Sequence, residues 1–147
     1  MEVRRATVSD AAALTEVVRA AYAPFRAAGL RLPEVEAGIA EAITDAPVWV
    51  AVEGAAIIGG VIVRHSDTST MVENLAVHPD ASGKGVGRRL LQAIEQWAQQ
   101  LGLPGLHLAT HVDMAATIAF YRHLGWHEVG REGAKLYLAK TLNENDP

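Results

Sequence analysis

The sequence predicts a mixed α/β domain built around one sheet. Three observations carry that reading. Apolar residues recur at alternate positions in some stretches and at every third or fourth position in others, and the two kinds interleave along the chain. No linker, repeat or low-complexity block divides them, so residues 1–147 read as a single domain. Hydrophobic residues make up 50% of the chain and charged residues 20%, enough to bury a core unaided.

The elements follow in order. Val3 to Ala6 is a short strand, and Thr7 or Ser9 can cap the helix after it. That helix places Leu14, Val17, Val18, Ala21, Tyr22 and Phe25 on one face and stops at Gly29. A second helix is expected from near Pro33, with Val35, Ile39 and Ile43 inward, ending before Pro47. Val48 to Val52 and Ala56 to Val63 form a hairpin about Glu53-Gly54. Thr70 to Val77 is a third run, closed by His78-Pro79-Asp80.

The second half opens with Ser82 to Gly87, a glycine-rich loop running straight into a strong helix. Leu90, Leu91, Ile94, Trp97, Ala98 and Leu101 form its apolar face, and Gly102 ends it. Leu106 to Thr110 is a strand, Asp113 can cap a helix reaching Leu124, and His127 to Val129 pairs with Lys135 to Leu142.

Composition excludes several classes of function. Without cysteine there is no disulfide framework, thiolate metal site or cysteine nucleophile. The formal net charge of −4, from 13 Lys+Arg against 17 Asp+Glu, gives no global basic field for nucleic acid. No apolar run reaches the ~20 residues of a membrane span. Met1 to Arg5 lacks a signal-peptide core, so a cytoplasmic protein is expected. His107 and His111 fall four apart on a strand, where that spacing does not bring two ligands together, so no metal is expected. Trp49, Trp97 and Trp126 sit at core-periodic positions and read as packing.

The sharpest feature is Gly83-Lys84-Gly85-Val86-Gly87-Arg88. Glycines at alternate positions before a helix let several amide N–H groups converge, and Lys84 and Arg88 add charge. That describes a phosphate or pyrophosphate site. A Walker loop is absent, and the Gly-x-Gly-x-x-Gly dinucleotide fingerprint fails because Arg88 stands where its last glycine should be. A Rossmann oxidoreductase is therefore disfavoured.

Leu75-Ala76-Val77-His78-Pro79 followed by Gly83 to Arg88 resembles the acyl-CoA motif of the GCN5-related N-acetyltransferases (GNAT). Ile118-Ala119-Phe120-Tyr121-Arg122-His123-Leu124-Gly125-Trp126 is similar to that family's second signature. Ser82 and Met114 depart from the pattern, where glutamine or arginine and asparagine are common. The resemblance implies a mixed sheet of about seven strands flanked by about four helices and splayed between the fourth and fifth strands. It also implies acetyl-CoA as co-substrate, held by the backbone of Leu75, Ala76 and Val77 and by Gly83, Lys84, Gly85, Val86, Gly87 and Arg88. Tyr121 would be the general acid that protonates the leaving thiolate. Glu73, two residues before Leu75 in an apolar run, is the candidate base for the acceptor amine, with His111 as its rival. Acceptors implied are a small-molecule amine or a protein N-terminus, and a homodimer is compatible with the sequence. A silent CoA-binding module is the competing reading, since the same loop would serve it; a nucleotide-binding oxidoreductase is the weaker one.

Overall fold

The computed structural model describes residues 1–30, 38–67 and 69–142. Its strands are β1 (Glu2–Arg5), β2 (Val48–Glu53), β3 (Ala56–His65), β4 (Thr70–Val77), β5 (Gly105–His111), β6 (His127–Glu132) and β7 (Lys135–Thr141). The α-helices among the described residues are α1 (Ala11–Ala27), α2 (Ile39–Asp45), α3 (Val86–Gln100) and α4 (Ala115–His123). The expected start of the second helix near Pro33, with Val35, lies outside the described residues; from Ile39 onward the helix is present.

The strands form one sheet in the order β1-β2-β3-β4-β5-β7-β6. Every neighbouring pair is antiparallel except β4 and β5, which run parallel. The last strand therefore lies inside the sheet and β6 forms the edge. Burial explains the choice: Leu136 and Leu138 of β7 are fully buried, whereas β6 is exposed along most of its length. The strand with more apolar surface takes the central position.

Two apolar layers flank the sheet. One lies under α1 and α2 and holds Leu14, Val17, Val18, Ile39, Val50 and Ile62. The other lies under α3 and α4 and holds Val61, Val63, Leu90, Leu91, Ile94 and Leu108. Trp49 and Trp126 are buried in this second layer, and Trp97 packs edge-on against Trp49 at 5.6 Å. Gly59 and Gly60 allow the helices to close on the sheet from opposite sides. A Cβ at Gly59 would lie 2.8 Å from Val86 Cγ1 in α3; one at Gly60 would collide with Leu14 in α1.

The chain start is locked onto α1. The Asp10 carboxylate takes both Arg4 guanidinium arms, at 2.8 and 3.0 Å, and the Thr7 backbone N–H at 2.8 Å. Its pKa falls to about 2, chiefly through the hydrogen bonds from Arg4. Thr7 opens a short 3-10 turn, Val8–Asp10, rather than capping α1 directly. Asp113 likewise caps no helix: Met114 is the cap residue of α4, and the Asp113 N–H donates to His111 Nδ1 at 3.0 Å. At Thr7 the side chain is drawn into a local bond with the Ser9 hydroxyl at 2.8 Å, whereas at Asp113 it is the backbone N–H that is engaged.

The parallel pair positions the site. Only Met71 with His107 and Val72 with Leu108 are in register between β4 and β5. Beyond Val72 the two strands part. The β3–β4 ladder shifts register at the same level, between Ile62 and Val63, so Ile62 faces Asn74 while Val63 faces Val72. Glu73 is the extra residue of a β-bulge, which bends β4 away from β5.

Candidate active site

The glycine loop is tied at both ends. His78 Nδ1 accepts the Asp80 N–H at 3.1 Å, and buried Ala81 anchors the 3-10 turn Pro79–Ala81. Gly83 and Gly85 have φ of 80° and 77°, and a Cβ at either would meet nothing within 4 Å. Glycine stands there for backbone conformation, since L side chains disfavour this region. Gly85 is the N-cap of α3, its carbonyl accepts the Arg89 N–H at 3.0 Å, and no side chain caps the helix. The amides of Val86, Gly87 and Arg88 thus belong to a first turn with no acceptor inside the helix. Together with the helix dipole they form an anion cradle. Lys84 lies beside it, 3.8 Å from Glu53, and Arg88 lines a neighbouring cavity of about 230 Å³ with His123 and Leu124.

The parting of β4 and β5 opens a cleft of about 210 Å³. Val72 to Val77 form one wall and Leu108 to Thr110 the other; Met114, Thr117 and Tyr121 come from the α4 side, Tyr22 and Phe25 from α1. The Tyr121 ring is wedged edge-on between Phe120 at 5.3 Å and Trp126 at 5.4 Å, and the residue is 5% exposed. Burial pushes its phenol pKa well above the usual 10, and the nearby Tyr22 hydroxyl adds to the effect. Such a phenol keeps its proton across the physiological range. Burial also raises the Tyr22 phenol, opposed by the Arg26 charge.

A larger cavity of about 340 Å³ lies on the α2 side, and Glu73 and Asn74 line both spaces. The Glu73 carboxylate is gripped by Arg64 through Nε to Oε2 at 2.9 Å and Nη2 to Oε1 at 3.0 Å. Strand alternation places Glu73 on the face of Leu75, but the bulge changes that arrangement. Val72 and Leu75, three apart, both pack into the layer under α3, while Glu73 borders the cavities. His111 ends β5, holds the Asp113 N–H and is outside the cleft lining.

The residues present fit a phosphorylated ligand with an amide-bearing arm. The cradle suits its phosphates, and past Val72 the β4 edge has no β5 partner in the described ladder. Comparison with known proteins settles the family: a profile of the Acetyltransferase (GNAT) family matches residues 14–126. The chain belongs to that family. The GNAT fold is matched at TM-score 0.82 by PaiA N-acetyltransferase from Thermoplasma acidophilum, solved with coenzyme A. That structure is 20% identical, and the match covers 95% of this chain and 98% of that one. The ribosomal-protein-S18-alanine N-acetyltransferase of Escherichia coli matches at 0.75, with 18% identity over 96% and 93% of the two chains. Among curated relatives, an IAA acetyltransferase of Azospirillum brasilense is 44% identical over 62 residues. N-alpha-acetyltransferase 80 of Mus musculus is 40% identical over 58. These alignments take in 42% and 40% of this GNAT chain but only 40% and 17% of the relatives' own lengths.

The loop and Tyr121 stand on the elements that the sequence predicts for them, and three further residues, Arg64, Asn74 and Thr117, line the two cavities. Arg64 gave no signal, because it reaches the Glu73 carboxylate across a bulge in the neighbouring strand. Buried Asn74 was visible only as a polar residue inside an apolar run. Thr117 lies on the inner turn of α4, legible only once the strand parting is known.

Proposed function

We propose that this GNAT protein transfers the acetyl group of acetyl-CoA directly to a primary amine, carried by a small molecule or a protein N-terminus. The observation that carries the reading is the cleft at the β4–β5 parting, with the Tyr121 phenol inside it and the α3 anion cradle beside it. Acetyl-CoA supplies an activated acetyl carbonyl when bound. The amides of Gly83, Lys84, Gly85, Val86, Gly87 and Arg88 hold phosphate oxygens, helped by the Lys84 and Arg88 charges. The backbone of Leu75, Ala76 and Val77 pairs with the amide-bearing arm, and an N–H of that edge can polarise a carbonyl oxygen.

Two proton transfers remain for side chains. An alkylammonium has a pKa of about 10, so its proton must leave before its nitrogen can attack. Glu73 borders both the larger cavity and the cleft, so it can accept a proton from an amine arriving by the larger cavity. Tyr121 donates its proton to the departing sulfur, whose parent thiol has a pKa of about 8.5. Thiol release from acetyl-CoA in the presence of an amine panel (alkylamine, diamine, amino acid, amino-terminal peptide) tests the reading. Amine-dependent release supports it; saturable CoA binding with no turnover on any amine leaves a silent binding module.

A further inference from the structure

We infer that Arg64 is a positioning residue for this reaction: it fixes the Glu73 carboxylate at the wall between the two cavities and competes there with the incoming amine. The inference rests on the proposal that Glu73 takes the acceptor's proton, and it brings in a residue outside both sequence motifs. Its ground is the bulge. Met71, Val72 and Asn74 of β4 each face a residue of β3, namely Arg64, Val63 and Ile62, whereas Glu73 faces none. A residue in that place has a re-aimed side chain that the ladder does not orient. The orientation comes instead from a two-point guanidinium fork, with contacts of 2.9 and 3.0 Å. Lysine, a single-point cation, cannot reproduce that fork.

The direction of approach adds the second half. Arg64 lines the 340 Å³ cavity and not the cleft, while Glu73 lines both. The guanidinium therefore meets Glu73 on the side from which an amine would come. A carboxylate has about four lone-pair sites, so it can keep part of the fork while taking one N–H of the amine. With the Arg64 side chain 72% exposed and that of Glu73 42%, solvent screens the pair, so one arm of the fork can release while the other still orients the carboxylate. Read only as a surface ion pair, it would leave turnover untouched.

The opposed effects on kcat and KM separate these possibilities. R64Q, R64K, E73Q and R64Q/E73Q are compared with wild type at saturating acetyl-CoA, using the best primary amine from the panel above. R64Q should lower kcat about 10- to 100-fold, the scale of a misplaced catalytic group. It should also lower KM for the amine a few-fold, since the competing cation is gone. R64K should fall between wild type and R64Q. The double variant should be no slower than E73Q, because both changes remove one unit. Melting temperatures should agree, given the exposure of Arg64. A kcat for R64Q within twofold of wild type, or losses that multiply in the double variant, would overturn the inference. A raised KM at unchanged kcat would also overturn it, making Arg64 a direct acceptor contact. If E73Q itself leaves kcat unchanged, the proton-acceptor reading falls and the inference with it; if E73Q is slow and R64Q is not, only the inference falls.

Discussion

Gly85→Glu puts a full negative charge where the account needs an anion to bind. Two effects must be separated. Gly85 sits at φ 77°, so a glutamate there costs about 1–2 kcal/mol of stability. For a chain of this size that is a drop of a few degrees in Tm, roughly 2–4 °C per kcal/mol. Space is no obstacle, because a Cβ at Gly85 meets nothing within 4 Å and the fold should persist. The second effect is electrostatic. A carboxylate on the order of 5 Å from a phosphate charge is repelled by about 0.8 kcal/mol in water and about 3 kcal/mol at a surface-like effective dielectric of 20. CoA should therefore bind about 4- to 140-fold more weakly, at 1.4 kcal/mol per decade. Gly85→Asn is the matched control, since asparagine tolerates the same φ and carries no charge. Calorimetric titration with CoA at low and high salt reads the difference, and the Glu deficit should shrink in ~1 M salt. A folded Gly85→Glu protein with wild-type CoA affinity at low salt would refute the cradle.

The other predictions address the acid, the N-terminal lock and the sheet. Tyr121→Phe should lower kcat by roughly 10²–10⁴ and leave acetyl-CoA affinity within about twofold, in steady-state and binding assays. Because burial raises the Tyr121 pKa, wild-type kcat should show no alkaline loss from this group below about pH 10. Asp10→Asn should cost about 1–2 kcal/mol at neutral pH, seen as a lower Tm. The Asp10 pKa of about 2 lies below its unfolded value of ~3.9, so its contribution is whole above pH ~4 and drains as pH falls through 2. The variant's Tm should accordingly converge on wild type over that window. Gly59→Ala would set a Cβ 2.8 Å from Val86 Cγ1 and 3.1 Å from the Ala76 carbonyl oxygen, costing about 1–3 kcal/mol by chemical denaturation.

Much of the fold was legible because its signals are local. The apolar face of α3 and the alternation of β4 can be read from neighbouring residues, and the glycine loop identifies itself by spacing. Strand order is not local. That β7 lies between β5 and β6 follows from comparing the buried Leu136 and Leu138 with the exposed β6, a competition between distant segments. The bulge at Glu73 is hidden for a related reason, because it consists of a mismatch in count between β3 and β4. Hence Tyr121 could be placed from its own helix, whereas the partnership of Glu73 with Arg64, nine residues away, required the sheet.

If the β4–β5 cleft moves an acetyl group from acetyl-CoA to an amine, both products must appear together. Simultaneous measurement of thiol release and of acetylated amine by mass spectrometry, for wild type and Tyr121→Phe, tests it most directly. One acetylated amine should form per thiol released, release should require the amine, and the rate should fall sharply in the variant. Thiol release at the same rate with and without every amine, or equal rates for the two proteins, would contradict it.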